Sequence, residues 1–508
     1  RVKMPDRSPN AKPARLMIGS DLLWPLIILA GFLFFTALVP LPPNDYWWHL
    51  RIGEVIFTES RIPSTNLYAW TLPADQPFFY AAWLGELLLY LTHRVGGLEL
   101  NIFLRTALAG LTYALVMIEA RRHSASWRIA ALLLALACMM STNNLIVRTQ
   151  MYAWLPFMVM FTLLSRYTDG QLRPVWLTVC PLGMLAWVNL HGSFVLGLGL
   201  MGIFLTGEAL RRMLKAEGAL SRHRLGWLAG ATAATFLATL VNPRFTGIIG
   251  YVRGLLGNQP VQQFIQEWQP PTPDGLANSI FFASILLLIL ALAISRTRFT
   301  PTQILLVLAL LWLAWSGQRS VAWYAMAVLP LSGKLLRGIP LRLPALPAQR
   351  KWINNVLVIA LCLPVLLVQP WFVQSFPLPA TYWAQVQNDS RVGPLMDTHT
   401  PIGAAEYLQQ HPGGRLFNEL GYGSYLIWAV PDQGVFIDPR IELYPVDLWE
   451  DYIDISRGVR AIELLEAYQV ERVLLDTSLQ SELLSLLENN SEWHLEYKDE
   501  ISQVWALK

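Results

Sequence analysis

The chain has 508 residues, of which 54% are hydrophobic and only 14% charged, and its mean hydropathy is +0.39. Soluble globular proteins carry far more charge, so the composition excludes that class and indicates a polytopic membrane protein. The formal net charge of +3 gives no reason to expect a nucleic-acid partner. All three cysteines lie inside apolar runs, which indicates neither a disulfide framework nor a thiolate metal site.

Eleven apolar segments are predicted to cross the membrane as helices. A helix needs ~20 apolar residues to cross a bilayer core, and several of the segments are shorter. We expect the short ones to extend by a few residues into their polar flanks. The segments are residues 22–39, 102–118, 129–140, 153–164, 175–188, 194–210, 225–240, 280–294, 303–315, 322–331 and 356–368.

The basic residues predict the orientation of these spans. Residues 1–20 are polar and basic and lack the small-residue cleavage site of a signal peptide, so they are predicted to be a cytoplasmic tail. The loops on the side of the N-terminus hold 22 Lys and Arg, whereas the loops on the other side hold seven. This bias places the N-terminus in the cytoplasm and the C-terminus outside. The outside is then the periplasm or the extracellular space.

The first outside loop, residues 42–98, is predicted to hold two helices that lie on the membrane surface. Residues 46–57 have an aromatic and aliphatic face and a charged face, which suits a helix in the interface. Residues 78–91 form the second helix. If they crossed the membrane, Arg121, Arg122 and Arg128 after the next span would lie outside, against the positive-inside bias.

Residues 21–371 form the predicted membrane domain, and residues 372–508 form a predicted extracytoplasmic α/β domain of an ordinary domain size. Short buried strands are expected at 414–418, 434–438 and 471–475, with helices at 446–456, 461–468 and 481–487. Residues 493–497 and 502–507 are expected to complete the sheet as a hairpin. The alternation of strands and helices predicts a partly parallel sheet.

Three residues of the first loop are candidates for catalysis. Asp45 follows the first span, so its carboxylate meets both water and lipid head groups; it either takes a proton or holds a divalent ion in glycosyl transfer, or caps the next helix. His49 lies four residues on and would share a helical face with Asp45, although two residues make a poor metal site. Glu86 is either an exposed charge or an acid that needs a partner among apolar neighbours.

Candidate substrate-binding residues lie in the outside loops, where the plain alternative for each is an ordinary interfacial side chain. Arg319 and Arg244 would bind a lipid phosphate through the planar guanidinium fork. His191 would give a hydrogen bond or a proton to the leaving phosphate, or simply end a helix. The others are Glu267 and Trp48; the ring of Trp48, like that of Trp47, either stacks on a sugar or anchors the chain in the interface.

Asp438 and Arg440 are the candidates of the C-terminal domain. They follow a predicted buried strand, and ligand sites of α/β domains form at strand ends. The alternatives are a structural salt link between the two residues and a contact through which the domain covers the membrane cavity.

The layout of the chain resembles that of the GT-C superfamily of membrane glycosyltransferases: a first span that starts in the cytoplasm, a first outside loop with an Asp and two surface helices, many further spans and a C-terminal outside α/β domain. A closer resemblance, to a bacterial branch, rests on four motifs. They are Asp45-Tyr-Trp-Trp-His-Leu-Arg-Ile-Gly, Trp83-Leu-Gly-Glu86, Trp187-Val-Asn-Leu-His-Gly192 and Phe436-Ile-Asp-Pro-Arg440. The resemblance implies inverting transfer of one sugar from a polyprenyl-phosphate donor on the outer face, with Asp45 as the catalytic acidic residue. Many relatives have an acid pair in this loop, whereas this chain has Asn44 before Asp45, which puts a metal site there in doubt.

The leading hypothesis is therefore a GT-C-type glycosyltransferase, a hexosyl or pentosyl transferase that uses a polyprenyl-phosphate-sugar donor. No metal ligand set is predicted, and a divalent metal ion is left open as a cofactor. The alternative is a non-catalytic GT-C-like subunit that serves as a scaffold with other membrane subunits. A transporter is a third reading, but it would need charged residues at mid-membrane, and here they collect near the span ends.

Overall fold

The computed structural model describes residues 19–257, 264–340, 351–372 and 395–508. Each of the eleven predicted spans falls on a helix. In these ranges the chain up to residue 372 contains α1 (Ser20–Leu38), α2 (Asp45–Glu59), α3 (Trp83–Ser124), α4 (Trp127–Met140), α5 (Met151–Thr168), α6 (Val179–Leu190), α7 (Phe194–Met213), α8 (Arg222–Ala238), α9 (Gly247–Leu256), α10 (Gly275–Ile294), α11 (Pro301–Ser316), α12 (Val321–Arg337) and α13 (Lys351–Leu367). The predicted cytoplasmic tail lies almost entirely outside the described residues.

Four helices are long and apolar enough to cross a membrane by their own length and composition: α1, α3, α7 and α10. Shorter apolar helices include α4, α11 and, over most of its length, α13. α12 forms the centre of the bundle, where it packs against α3, α4 and α11 with nearly all its residues buried. The chain is thus a mostly helical membrane protein.

α3 bends at Gly96 and Gly97, whose backbone angles are not helical. Gly97 has φ +65°, a conformation that glycine adopts without the steric cost that a side chain brings. The bend divides α3 into residues 83–95 and residues 98–124. The first part overlaps the surface helix predicted at 78–91, and the second contains the predicted span at 102–118, so the two predicted elements are one helix with a break.

The C-terminal part, residues 395–508, is an α/β unit with a partly parallel sheet, as the sequence predicts. The elements are α14 (Ile402–Gln410), β1 (Leu416–Asn418), α15 (Leu420–Ala429), α16 (Val446–Ser456), α17 (Ala461–Ala467), β2 (Arg472–Asp476), α18 (Ser481–Glu488), β3 (Trp493–Lys498) and β4 (Ser502–Leu507). The strands lie in the order β1-β2-β4-β3, with β1 parallel to β2 and the other pairs antiparallel.

The strand predicted at 434–438 is wrong. Only Val435 forms a bridge, with Ala69 of the first loop. The side chain of Asn418 takes the place of a neighbouring strand, because it accepts a hydrogen bond from the Phe436 N–H and donates one to the Ile437 carbonyl. A buried apolar segment has the same sequence pattern whether its backbone groups bond to an amide side chain or to a neighbouring strand, so the pattern alone did not distinguish the two. α14 and α15 were not among the predicted helices.

The first loop and the C-terminal part are joined through their backbones. Leu41 pairs with the chain on either side of Met396, with two hydrogen bonds of 2.8 Å. Near the Ala69 bridge, the Trp70 N–H donates to Val435 at 3.0 Å, and the Val435 N–H donates back to the loop at 2.9 Å. Two short stretches of strand pairing therefore fix this loop to the unit that follows the helices.

The same unit covers α2, which corrects two predictions. α2 packs against α3 and α15 and is not a helix on the outside of the molecule. Trp47 is 2% exposed and Trp48 8% exposed, so the interpretation of these rings as interfacial anchors is wrong. The Trp47 ring meets Tyr425 of α15 edge to face at 5.0 Å. The aromatic face that suggested a membrane interface is buried within the protein.

Candidate active site

Asp45 is the first residue of α2, and Asn44 is its cap. The Asn44 side-chain oxygen accepts a hydrogen bond from the Asp45 N–H at 2.7 Å, so the alternative that Asp45 itself caps the helix is wrong. The Asp45 carboxylate is left for other contacts. Its negative charge at a helix N-terminus is favoured by the helix dipole.

A buried arginine joins Asp45 to a second acid. Arg148, in the turn between α4 and α5, donates from one nitrogen, Nη1, to Asp45 Oδ2 at 3.2 Å and to Glu267 Oε2 at 3.0 Å. Arg148 is 6% exposed, whereas the side chains of Asp45 and Glu267 are 21% and 33% exposed. We call this group the Arg148 bridge. The Arg148 guanidinium is thus buried, whereas the Asp45 and Glu267 carboxylates remain partly accessible to a substrate.

The bridge shifts the pKa values of its two carboxyl groups in opposite directions. Burial raises the pKa of Asp45 above its ordinary value, Arg148 opposes this shift, and Glu267 adds to it. For Glu267, burial acts in the same direction, but Arg148 and Arg319 together bring its pKa below the ordinary value. The raised pKa makes Asp45 more basic than an ordinary aspartate, which suits a group that accepts a proton.

Arg319 brings a second cation to the bridge. It lies between α11 and α12, and its guanidinium stacks over the Trp268 ring with 4.3 Å to the centroid. Burial and the charge of Arg148 lower the pKa of Arg319, and the carboxylates of Glu267 and Asp45 oppose that shift. Two guanidinium groups thus lie close enough to act on each other electrostatically, which is a pattern suited to an anion with more than one charge.

His191 lies at the same end of the helices, after α6. Its Nδ1 accepts a hydrogen bond from the Ser193 N–H at 3.0 Å, so the neutral ring carries its proton on Nε2. Burial lowers the pKa of His191 well below the ordinary value, with Arg319 and Arg148 adding to the shift. His191 is therefore a neutral hydrogen-bond donor near the two arginines.

His49 pairs with Glu86, and not with Asp45 as its spacing suggested. His49 Nδ1 lies 3.1 Å from Glu86 Oε1, and its Nε2 lies 3.4 Å from the Thr149 hydroxyl. Glu86 is 1% exposed, so the interpretation of Glu86 as an exposed charge is wrong. Burial lowers the pKa of His49 and raises that of Glu86, and the attraction within the pair opposes both shifts. Because Thr149 follows Arg148 directly, this pair supports the turn that carries the bridge.

Arg244 packs against an aromatic side chain of the first loop. Its side chain is exposed, and its guanidinium lies 5.2 Å from the centre of the Phe79 ring. Phe79 in turn meets Tyr251 edge to face at 5.0 Å. Binding of a lipid phosphate by Arg244 stays a prediction, while the buried arginine that contacts Asp45 is Arg148.

Sequence reasoning missed Arg148 and Glu442 as site residues. Arg148 precedes Thr149 and Gln150, and all three are buried polar residues between two apolar helices. That polar run on the side of Asp45 was the available signal. Glu442 accepts a hydrogen bond from Tyr251 at 3.4 Å; burial and the nearby charge of Asp45 raise its pKa. Its position near Asp45 depends on how the C-terminal part docks.

Comparisons with known proteins identify the architecture. No family model and no curated protein matches the chain. The oligosaccharyltransferase AglB of the archaeon Archaeoglobus fulgidus, solved with an inhibitory peptide and a dolichol-phosphate, aligns over 96% of this chain and 74% of its own, with a TM-score of 0.50 and 13% identity. The mycobacterial arabinofuranosyltransferase AftD aligns over 95% of this chain and 41% of its own, with a TM-score of 0.51 and 14% identity.

The chain has the GT-C fold. ArnT of Cupriavidus metallidurans, solved with undecaprenyl phosphate, also aligns, over 96% of this chain and 97% of its own, with a TM-score of 0.48 and 15% identity. At these identities the comparison concerns the arrangement of the helices, and the chemistry has to be argued from the residues of the site.

A divalent metal ion was left open by the resemblance to GT-C enzymes. Among the residues that the structure describes, no group of three or more His, Cys, Asp or Glu is placed to hold a metal ion. The two carboxylates that come closest to forming such a group, Asp45 and Glu267, both bind the Arg148 guanidinium. The donor set around Asp45 therefore does not fit a divalent ion.

Asp438 and Arg440 form a buried structural link. Two guanidinium nitrogens of Arg440 donate to the two carboxylate oxygens of Asp438, at 2.9 and 2.7 Å. A third nitrogen donates to the Tyr80 hydroxyl of the first loop at 3.2 Å. Both charged residues are at most 1% exposed. The pair therefore fastens the C-terminal part to the first loop.

Ser424 of α15 holds the start of α2. Its Oγ accepts a hydrogen bond from the Trp48 N–H at 3.2 Å and donates one to the Asn44 carbonyl at 2.5 Å. Residues four apart form the backbone hydrogen bonds of an α-helix, so this hydroxyl stands between the donor and acceptor of the first turn. Nearby, Gly421 approaches so closely that an added Cβ would lie 2.5 Å from the Pro43 oxygen. The C-terminal part thus touches the backbone on both sides of Asp45.

Proposed function

We propose that this protein is a membrane glycosyltransferase that moves one sugar from a polyprenyl-phosphate donor to an acceptor. The observation that carries the proposal is the Arg148 bridge: a partly exposed carboxylate of raised pKa lies beside a buried cation, with a second cation close by. The GT-C fold supports it, and AglB was solved with a dolichol-phosphate. The acceptor is left unnamed, since the site shows no feature that selects one.

In the proposed step, Asp45 takes the proton of the acceptor hydroxyl. The acceptor oxygen forms a bond to the anomeric carbon as the bond from that carbon to the phosphate oxygen breaks. The electron pair stays on the phosphate, and the configuration of the sugar is inverted. General-base catalysis of this kind typically contributes ~10²–10⁴-fold to a rate.

The leaving phosphate would be bound by Arg148, Arg319 and His191. Arg148 Nη2 is buried and has no hydrogen-bond partner among the described residues, so it is a donor in place for an oxygen of the substrate. A buried donor without a partner costs free energy, and a bound phosphate would remove that cost. Arg319 supplies a second positive charge, and His191 Nε2–H supplies a neutral hydrogen bond.

His49 and Glu86 would act as positioning residues for the Arg148 turn. They lie beside the bridge through Thr149 and are not placed to touch the acceptor. The Trp48 ring lies against the His49 ring, with 3.6 Å between the centroids and 33° between the planes, so that face of the Trp48 ring is closed to a sugar. Its indole N–H is buried and finds no partner within the described ranges, so it is the part of Trp48 that we assign to substrate.

The topology that fits this function has eleven crossings. The N-terminus would lie in the cytoplasm of a bacterial cell, with residues 42–98 and 372–508 on the extracytoplasmic face of the inner membrane. The excess of Lys and Arg in the loops opposite Asp45 supports this orientation. Asp45, Arg148, Glu267 and Arg319 then meet at the outer face, where a lipid-linked donor presents its phosphate.

The test is sugar transfer in proteoliposomes that hold the full chain, with radiolabelled polyprenyl-phosphate sugars as donors. Asp45→Asn should lower kcat by ~10²–10⁴-fold, because the amide cannot take the proton. Asp75→Asn is the matched control, since Asp75 is an exposed acid of the same loop, and it should keep the unaltered rate. Equal transfer by Asp45→Asn would remove Asp45 from the mechanism. Absence of transfer with every donor would favour the scaffold alternative.

A further inference from the structure

We infer that Arg148 holds the position that a divalent cation takes between two carboxylates, so that this enzyme transfers its sugar without a divalent metal ion. The statement about transfer rests on the proposed function. The statement about cation binding does not, because it concerns the geometry of Asp45, Arg148 and Glu267 alone.

The carboxylates of Asp45 and Glu267 converge on one atom, Arg148 Nη1. Asp45 and Glu267 reach Arg148 Nη1 from positions 103 and 119 residues away in sequence. Divalent cations such as Mg²⁺ bind carboxylate oxygens at ~2.0–2.1 Å and bridge acids in this way. A guanidinium nitrogen that contacts both acids leaves no room for an ion to bind both at once. The cation that screens the two acids is therefore a covalent part of the chain.

The charges of the two carboxylates are balanced by the charges of two arginines. Asp45 and Glu267 bring two negative charges to the bridge, and Arg148 with Arg319 brings two positive charges, the charge of one divalent ion. Arginine keeps its proton under all ordinary conditions, so this charge is permanent. Glu442 adds a further acid, but its carboxylate accepts a hydrogen bond from the Tyr251 hydroxyl and its pKa is raised by burial.

One guanidinium nitrogen of Arg148, Nη2, is not used by the two carboxylates. In metal-dependent transfer, the ion binds the acids on one side and the leaving phosphate on the other. Arg148 Nη1 binds the acids, and Nη2, which is buried and unpartnered within the part of the chain that the structure describes, is left for the phosphate. The planar guanidinium thus offers the same two-sided contact as the ion.

The inference predicts the behaviour of a chain from which the guanidinium has been removed. Arg148→Ala removes the cation that contacts both Asp45 and Glu267, so that Arg319 remains as a positive charge near them. Two carboxylates that face each other form a site that attracts Mn²⁺ or Mg²⁺. Binding of Mn²⁺ to the purified full chain is measured by electron paramagnetic resonance. Arg148→Ala should bind Mn²⁺ at least tenfold more tightly than the unaltered chain. Arg253→Ala, which removes an exposed arginine, should bind no better than the unaltered chain.

Transfer assays give the second readout. The unaltered chain should keep its rate in EDTA, and Arg148→Ala should lose transfer and regain part of it with Mn²⁺. Arg148→Lys keeps one positive charge, so it should gain no Mn²⁺ site. Arg148→Met, which keeps most of the side-chain bulk without the charge, takes the place of Arg148→Ala if that variant does not fold. The inference is overturned if EDTA abolishes transfer by the unaltered chain and Mn²⁺ restores it, or if Arg148→Ala folds and gains no Mn²⁺ site. A gained Mn²⁺ site without transfer by any variant would refute the proposed function and leave the cation-binding inference standing.

Discussion

The hydroxyl of Ser424 offers a sharp test of how the C-terminal part contributes to the site. Ser424 has no exposed surface, and its Oγ stands between the Trp48 N–H and the Asn44 carbonyl at the first turn of α2. Ser424→Ala removes one oxygen atom and adds no bulk. We expect it to slow sugar transfer even though Ser424 touches neither substrate nor the Asp45 side chain.

The magnitude follows from the two hydrogen bonds that are lost. If the Trp48 N–H stays unpaired, it costs about 1–3 kcal/mol of stability, whereas the Asn44 carbonyl still accepts a hydrogen bond from the Trp47 N–H at 3.3 Å. If the Trp48 N–H and the Asn44 carbonyl pair with each other instead, they approach to ~3 Å, since no oxygen separates them, and the first turn tightens around Asp45. A displacement of ~1 Å at a reacting group can cost ~10²-fold in rate. Ser424→Ala should therefore lower kcat by about 10–100-fold.

The assay is the proteoliposome transfer reaction with kcat and KM determined separately. Displacement of the base alone should lower kcat and leave KM for the lipid donor within about threefold, because donor binding depends on other groups. Ser485→Ala, an exposed serine in a helix of the same unit, is the matched control and should be unchanged. An unaltered kcat in a stably folded Ser424→Ala chain would refute the view that α15 positions Asp45.

Three further predictions concern acidity and the joint between the two parts of the chain. In the pH profile of kcat/KM, the acid limb should have a pKa above 3.8, the ordinary value for an aspartate, because burial and the charge of Glu267 raise the pKa of Asp45. Glu267→Gln removes that charge and should move the acid limb to lower pH. Arg440→Ala should destabilise the chain by about 3–5 kcal/mol in denaturant titrations, because it leaves Asp438 buried without its cation. Gly421→Ala should lower both stability and transfer, since its Cβ would lie 2.5 Å from a backbone oxygen of the loop before α2.

Controls for these predictions lie in open positions of the same chain. Arg457→Ala removes an exposed arginine of the C-terminal part and should leave the denaturation midpoint unchanged. Gly202→Ala places its Cβ where no atom lies within 4 Å and should be tolerated. An acid limb that stays in place in Glu267→Gln would show that Asp45 is not the titrating base. Equal stability of Arg440→Ala and Arg457→Ala would contradict the structural assignment of Asp438.

The sequence predicted the helices well because hydropathy is a local property. Each predicted span falls on a helix; β1 and β2 were placed by their buried apolar runs, and β3 and β4 as a hairpin around residues 498–500. Asp45, Glu267, Arg319 and His191 were named as candidates because they lie between apolar segments, and the structure brings these four residues close together. The physical signal for them is a polar residue at a helix end.

What the sequence could not give is which loops meet. Arg148 looks like any basic loop residue until Asp45 and Glu267 converge on it. His49 was paired with Asp45 because they lie four residues apart, but Glu86 is brought to His49 by the close packing of α2 against α3. An added Cβ on Gly53 would collide with the Glu86 backbone oxygen, which shows how tight that packing is. These contacts depend on long-range docking, for which local patterns carry no information.

The strand pairings of Leu41 with Met396 and of Ala69 with Val435 have a consequence for how such chains diverge. Because the segment that presents Asp45 is partly built on backbone groups from residues 395–508, the two halves cannot be exchanged between related proteins as independent modules. A chimera in which residues 395–508 come from another protein would lose the backbone contacts that position Asp45. Change in one half would have to be matched by change in the other.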